Sequence, residues 1–181
     1  MLVVTGAPAS GKTTVATRLA HDLGLPYLGK DLFKETLFDV LGWSDRAWSQ
    51  RVATASMRLL FRCAAAVLEA GGSVVLESNF YDAWDTPELL RLQQRFGCRF
   101  VQVVCTAPGP LLVERFEARV RSGDRHPGHV DPASLEELRP KLLDNVWGPL
   151  GLSGPVLRVD THDFTAIDYA ALSRSVRDAN G

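Results

Sequence analysis

The sequence predicts an α/β domain, with a parallel β-sheet of about five strands covered by helices on both faces. Three observations predict it. Short apolar, β-branched runs recur along the chain, and segments of helical periodicity separate them. Those runs are apolar throughout rather than alternating, as strands buried on both faces must be. The 181 residues hold no internal repeat, low-complexity tract or linker, so a single domain over 1–181 is expected.

Each element has its own local reason. Leu2 to Thr5 is a β-type run. From Gly11 to Leu23, the residues Val15, Leu19 and Leu23 share one helical face. Pro26 to Leu28 reads as a short strand. Asp31 to Leu41 reads as a helix, with Leu32, Phe33, Leu37 and Val40 apolar. Ser44 to Ala70 is Ala-rich and mostly helical, and Gly71-Gly72 stops it. Ser73 to Leu76 is a buried strand. Thr86 to Phe96 is a helix with Pro87 in its first turn. Phe100 to Cys105 is the next strand and Gly109 to Arg121 the next helix. A polar Gly/Pro segment, Ser122 to Pro132, precedes a partly helical stretch from Ser134 to Val146. Val156 to Asp160 is the last strand. Thr165 to Val176 is the last helix, entered through Thr165 as cap with Asp168 three residues on.

Composition narrows the function classes. Twenty basic residues face twenty-one acidic ones, for a formal net charge of −1 at pH 7. That balance argues against a nucleic-acid partner. No apolar run approaches the ~20 residues that span a bilayer, and no signal peptide opens the chain. Cys63, Cys98 and Cys105 form no CxxC, so reduced thiols and a cytoplasmic location are expected. Nothing in the sequence marks an oligomeric state.

Ligands of open parallel sheets bind at the carboxyl ends of the strands. There, Gly6-Ala7-Pro8-Ala9-Ser10-Gly11-Lys12-Thr13 fits GxxxxGK[ST] without a mismatch, after a strand and at a helix start. Such a loop turns successive backbone N–H groups toward phosphate oxygens, and the helix N-terminus adds its dipole. Gly6, Ala7, Ala9, Ser10, Gly11, Lys12, Thr13 and Thr14 are thus assigned to ATP. Lys12 bridges the β- and γ-phosphates, and Thr13 ligates Mg²⁺. Glu77, at the end of a buried strand, takes the second magnesium position, where an Asp is usual. Asn79 is assigned to the acceptor or to metal-bound water.

Asp31 follows the second strand at the mouth of the same site. A carboxylate there orients or deprotonates an attacking hydroxyl, and it also suits a helix N-cap. Lys30 beside it is a candidate acceptor contact. Arg115 and Arg119, four residues apart, share a helical face with no carboxylate at salt-bridge spacing, which a polyanion relieves. Both are assigned to the transferring phosphate, and Arg119 also to the nucleotide. Arg125 and His126, assigned to the substrate, lie in a Gly/Pro-rich stretch with the build of a lid, at about 115–131. His126, His129 and Asp131 do not make a convincing metal set. Thr161, after the last strand, either flanks the adenine or belongs to the entrance of the last helix.

The phosphate loop GAPASGKT, the GKDLFKE segment, the LESNF strand end and the lid-like ERFEARVRSGDRHPGHVD together resemble small P-loop kinases. The branch they resemble holds chloramphenicol phosphotransferase, zeta toxins and the polynucleotide kinase domain. The resemblance implies a three-layer, nucleoside-kinase-like P-loop NTPase fold with strand order 2-3-1-4-5. It also implies Mg-ATP as donor, Asp31 as base, and Arg115 or Arg119 at the transferred phosphate. The expected activity is phosphorylation of a small-molecule hydroxyl on an antibiotic, sugar or nucleoside. Three alternatives stand beside it: a polynucleotide 5′-hydroxyl kinase, a zeta-like nucleotide-sugar kinase toxin, and a P-loop ATPase or switch. Glu77 departs from the usual Asp, and the helices over 31–70 match no single relative.

Overall fold

A computed structural model describes residues 1–180. Five parallel strands, β1 (Leu2–Gly6), β2 (Tyr27–Gly29), β3 (Val75–Glu77), β4 (Val101–Thr106) and β5 (Val156–Asp160), form one sheet in the order β2-β3-β1-β4-β5. Seven helices cover it: α1 (Lys12–Leu23), α2 (Lys30–Leu41), α3 (Arg46–Glu69), α4 (Asp82–Phe96), α5 (Gly109–Ser122), α6 (Asp131–Leu143) and α7 (Tyr169–Asn180). Neighbouring residues of one strand feed opposite layers. Leu2, Val4 and Val75 pack with Val15, Leu19 and Val176 on the α1/α7 side. Met1, Val3, Val74 and Leu76 pack with Leu60, Leu89 and Leu92 on the α3/α4 side. This two-sided burial explains the absence of polar alternation in the strands. A smaller core of Leu112, Phe116, Leu142 and Trp147 joins α5 to α6.

Three helix starts differ from the sequence expectation by three residues or more. α4 begins at Asp82, a turn before Thr86, so Pro87 lies inside the helix. The Asp82 carboxylate accepts from the Thr86 hydroxyl and the Gly151 N–H, which tethers the added turn. α6 begins at Asp131 rather than Ser134 because Pro132 tolerates a first turn, where its missing N–H costs nothing. α7 begins at Tyr169: Phe164–Ala166 is a separate 3₁₀ turn capped by Asp163, and Asp168 accepts from the Ala171 N–H. Thr165 therefore does not cap α7.

Gln102 of β4 is polar and fully buried. The Gln102 amide donates to the Leu150 and Leu152 carbonyls and accepts from the Leu150 N–H. It pins the segment leading into β5 and so helps set the strand that ends beside the phosphate loop.

Candidate active site

The loop between β1 and α1 sits where β3 and β4 flank β1, with its backbone set by local constraint. Gly6 has φ 150°, and a Cβ there would lie 2.4 Å from the Cys105 carbonyl oxygen. Gly11 has φ 75°, and a Cβ would meet the Phe164 ring at 2.2 Å. Ala9 also adopts a positive φ, 64°. The Ser10 N–H closes the turn on the Ala7 carbonyl. Thr161, fully buried, donates its hydroxyl between the Ser10 and Thr106 carbonyls, 2.8 and 2.9 Å away, and ties the loop to the ends of β4 and β5. Lys12 curls back so that Nζ lies 3.4 Å from the Ala7 carbonyl and 3.8 Å from Glu77. Burial pulls its ammonium below the usual lysine range.

Glu77 is nearly buried at the end of β3. Its Oε2 accepts from Thr13 at 3.3 Å and from the Tyr27 hydroxyl at 2.8 Å. A hydroxyl and a carboxylate beside a phosphate loop are hard oxygen donors that suit Mg²⁺, which binds few protein groups and keeps the phosphates as its other ligands. No cluster of three or more His, Cys, Asp or Glu suited to a metal occurs among the described residues. Tyr27 was missed by the sequence reading. It reaches Glu77 by lying over Gly29, where a Cβ would meet its hydroxyl oxygen at 2.3 Å. The tyrosine, the glycine two residues on and the paired strand carried that signal only once the β2/β3 register was known.

A cleft of about 380 Å³ runs from Lys12 and Thr13 past Asp31 to Asn79 and Tyr81. Asp31 sits in the first turn of α2, with Lys30 Nζ 3.5 Å from its Oδ1 and Arg125 paired to its Oδ2. Burial alone would raise the Asp31 carboxyl, but Lys30, Arg125 and Lys12 outweigh it and hold the group well below the usual carboxylate range. Its Oδ1 is buried and accepts no hydrogen bond, with the Lys30 ammonium beside it as an ion-pair partner. Lys30 also donates to Asn79 at 3.4 Å.

The two arginines of α5 part company. Arg119 lines the cleft, 3.3 Å from Asp131, with its Nε making no hydrogen bond. Arg115 instead donates to the Thr161 and His162 carbonyls at 2.9 and 3.1 Å and stacks on Phe164. The lid-like segment is docked along one stripe of α2. Asp31, Glu35 and Asp39, at i, i+4 and i+8, face Arg125, His129 and His126 in turn. Gly128 allows this approach, since a Cβ there would lie 2.6 Å from the Phe38 ring. Burial pushes His129 far down, so its ring is neutral. The structure thus brings Lys12, Thr13, Lys30, Asp31, Asn79, Arg119 and Arg125 together around one cleft. Glu77 joins through Thr13, in an adjoining chamber that Asp31 and Arg119 also line. Arg115 and Thr161 lie behind the phosphate loop, and His126 stacks on Phe38 outside the cleft.

A glycine-containing phosphate loop at the switch of such a sheet, with Lys12, the buried Glu77 carboxylate and Arg119 around it, defines a P-loop nucleotide-binding domain of the kinase-like class. The chain belongs to the AAA domain family, which matches residues 1–142. It is similar to a structure from Chloroflexus aurantiacus J-10-fl described as a proposed kinase, with 44% identity, TM-score 0.90, and 98% of this chain and 96% of that one covered. It is also similar to Kti12 of Chaetomium thermophilum, solved with ADP-AlF3, at 21% identity and TM-score 0.70, covering 99% and 98%. A third is the APS kinase CysC of Mycobacterium tuberculosis, solved with AMPPNP and APS, at 19% identity and TM-score 0.57, covering 98% and 95%. At these two lower identities the likeness is one of fold. No curated protein matches the chain. No helix among the described residues is long and apolar enough to cross a membrane.

Proposed function

We propose that the protein transfers the γ-phosphoryl group of Mg-ATP to a hydroxyl of a small molecule. The observation that carries this reading is Asp31. A carboxylate with one oxygen that accepts no hydrogen bond lines the same cleft as Lys12, Thr13 and Arg119. In the step, the acceptor oxygen bonds to the γ-phosphorus, the bond to the β,γ-bridging oxygen breaks, and ADP leaves. The hydroxyl proton passes to Asp31. Because Asp31 is a weak base, it orients the hydroxyl first and receives the proton late, as a loose phosphoryl transition state permits. Lys12 and Arg119 stabilise the charge on the transferring group; Thr13 and Glu77 would hold Mg²⁺, which would add to that charge stabilisation.

Within the family, the motifs support the branch of chloramphenicol phosphotransferase, zeta toxins and the polynucleotide kinase domain. The net charge of −1 supports a small acceptor over a polynucleotide, and the three free thiols support a reducing, cytoplasmic setting. The test is ADP release from Mg-ATP across pools of antibiotics, sugars, sugar acids, nucleosides and 5′-hydroxyl oligonucleotides. One pool is expected to stimulate release, and Asp31→Asn to lose that stimulation by about 10²–10⁴-fold. A basal rate that no pool raises and that Asp31→Asn retains would instead identify an ATPase.

A further inference from the structure

Among the described residues, the acceptor side of the cleft holds one lysine that no carboxylate partners. Around the cleft, Arg46 pairs with Glu137, Lys30 with Asp31, Arg119 with Asp131, and Arg125 with both aspartates. Lys34 lines the same cleft at 5% exposure, and among the described residues no carboxylate oxygen lies within 4 Å of its Nζ. Its contacts are the Ser49 hydroxyl at 3.0 Å and the face of Phe38 at 5.3 Å. Ser49 in turn donates to the His129 carbonyl, which fixes its lone pairs toward the ammonium. An ammonium has three donors, so this arrangement holds Lys34 in place without satisfying it. Burial, with repulsion from Lys30, lowers its pKa to about 7, a state that an incoming anion would reverse. Lys34 stands three residues after Asp31 and so near it on one helical face. Resting on the kinase reading above, we propose that Lys34 receives an anionic group of the acceptor. The acceptor is then a small hydroxylated organic anion, a carboxylate or a phosphate ester, with its reacting hydroxyl at Asp31.

The test uses matched probes: glucose, gluconate and glucose 6-phosphate, and a nucleoside with its monophosphate. Mg-ADP saturates the phosphate loop while trace acetic anhydride labels lysines, and peptide mass spectrometry reads Lys34. The anionic member of at least one pair is expected to protect Lys34 tenfold or more over its neutral parent. Whether carboxylate or phosphate protects names the class. In ADP-release assays with Mg-ATP, Lys34→Met is expected to erase the preference for anion over parent, and Lys34→Arg to restore part of it. Protection by no anion, equal protection by the neutral parent, or an unchanged preference in Lys34→Met overturns the proposal. The last of these would leave Lys34 as a structural tie between α2 and α3. If no pool raises ADP release, the kinase reading fails, while labelling still decides the anion site.

Discussion

The two halves of the cleft are built differently. The donor half is backbone: a loop between β1 and α1 whose shape follows from Gly6, Gly11 and one buried threonine tie. The acceptor half is side chains from α2, α3 and the segment around Arg125, joined by ion pairs across as many as 94 residues. A phosphate is the same in every nucleotide, so a fixed backbone cradle serves it. An acceptor is particular, and on the proposed reading its site is assembled from side chains of several elements rather than from one loop of backbone.

This contrast breaks first at Lys12. Lys12→Ala should lower ATP turnover by about 10³-fold or more with the circular dichroism spectrum retained; full activity would dissolve the donor half as assigned. The arginines of α5 sharpen it next. Arg119→Ala should cut kcat by about 10²-fold with ATP affinity within about threefold, since Arg119 lines the cleft beside Asp31. Arg115→Ala should raise the KM for ATP by about tenfold and spare kcat, since Arg115 braces the carbonyls after β5. Steady-state kinetics on both variants would show equal splits if the two arginines had one role.

Tyr27 tests the border between the halves. Tyr27→Phe removes a donor from Glu77 and should raise the Mg²⁺ needed for half-maximal turnover by about tenfold, read from a magnesium titration. An unchanged titration would remove Tyr27 from the magnesium site.

The smallest effect is on stability. Lys34 titrates at about 7 when folded, against 10.5 as its ordinary value. Between those pH values the unfolded chain binds more protons, so stability rises with pH across that window. Lys34→Met removes the penalty of the buried charge. Its Tm should exceed that of the wild type most at pH 6, by about 2–4 °C per kcal/mol relieved, and less at pH 9. A gap independent of pH would mean that Lys34 carries no such penalty.

Local patterns were enough for the strands, the phosphate loop, Asp31 and Arg119. Apolar runs, a spaced glycine-lysine motif and strand-end positions follow from a few consecutive residues, because backbone geometry and burial act locally. Helix starts were less legible: the first turn of α4 depends on Asp82 reaching Gly151, 69 residues away. The same limit hid Tyr27 on Glu77, the stripe of Asp31, Glu35 and Asp39 against Arg125, His129 and His126, and the divergence of Arg115 from Arg119. One helical face predicts that two arginines point alike. It does not say that Thr161 and Phe164 will capture one of them while Asp131 and the cleft hold the other. The sequence by itself determined the sheet, the phosphate loop and the place of Asp31 at its mouth. The tertiary structure alone decided which side chains meet across the acceptor half, because such meetings depend on how distant helices pack rather than on the residues beside them.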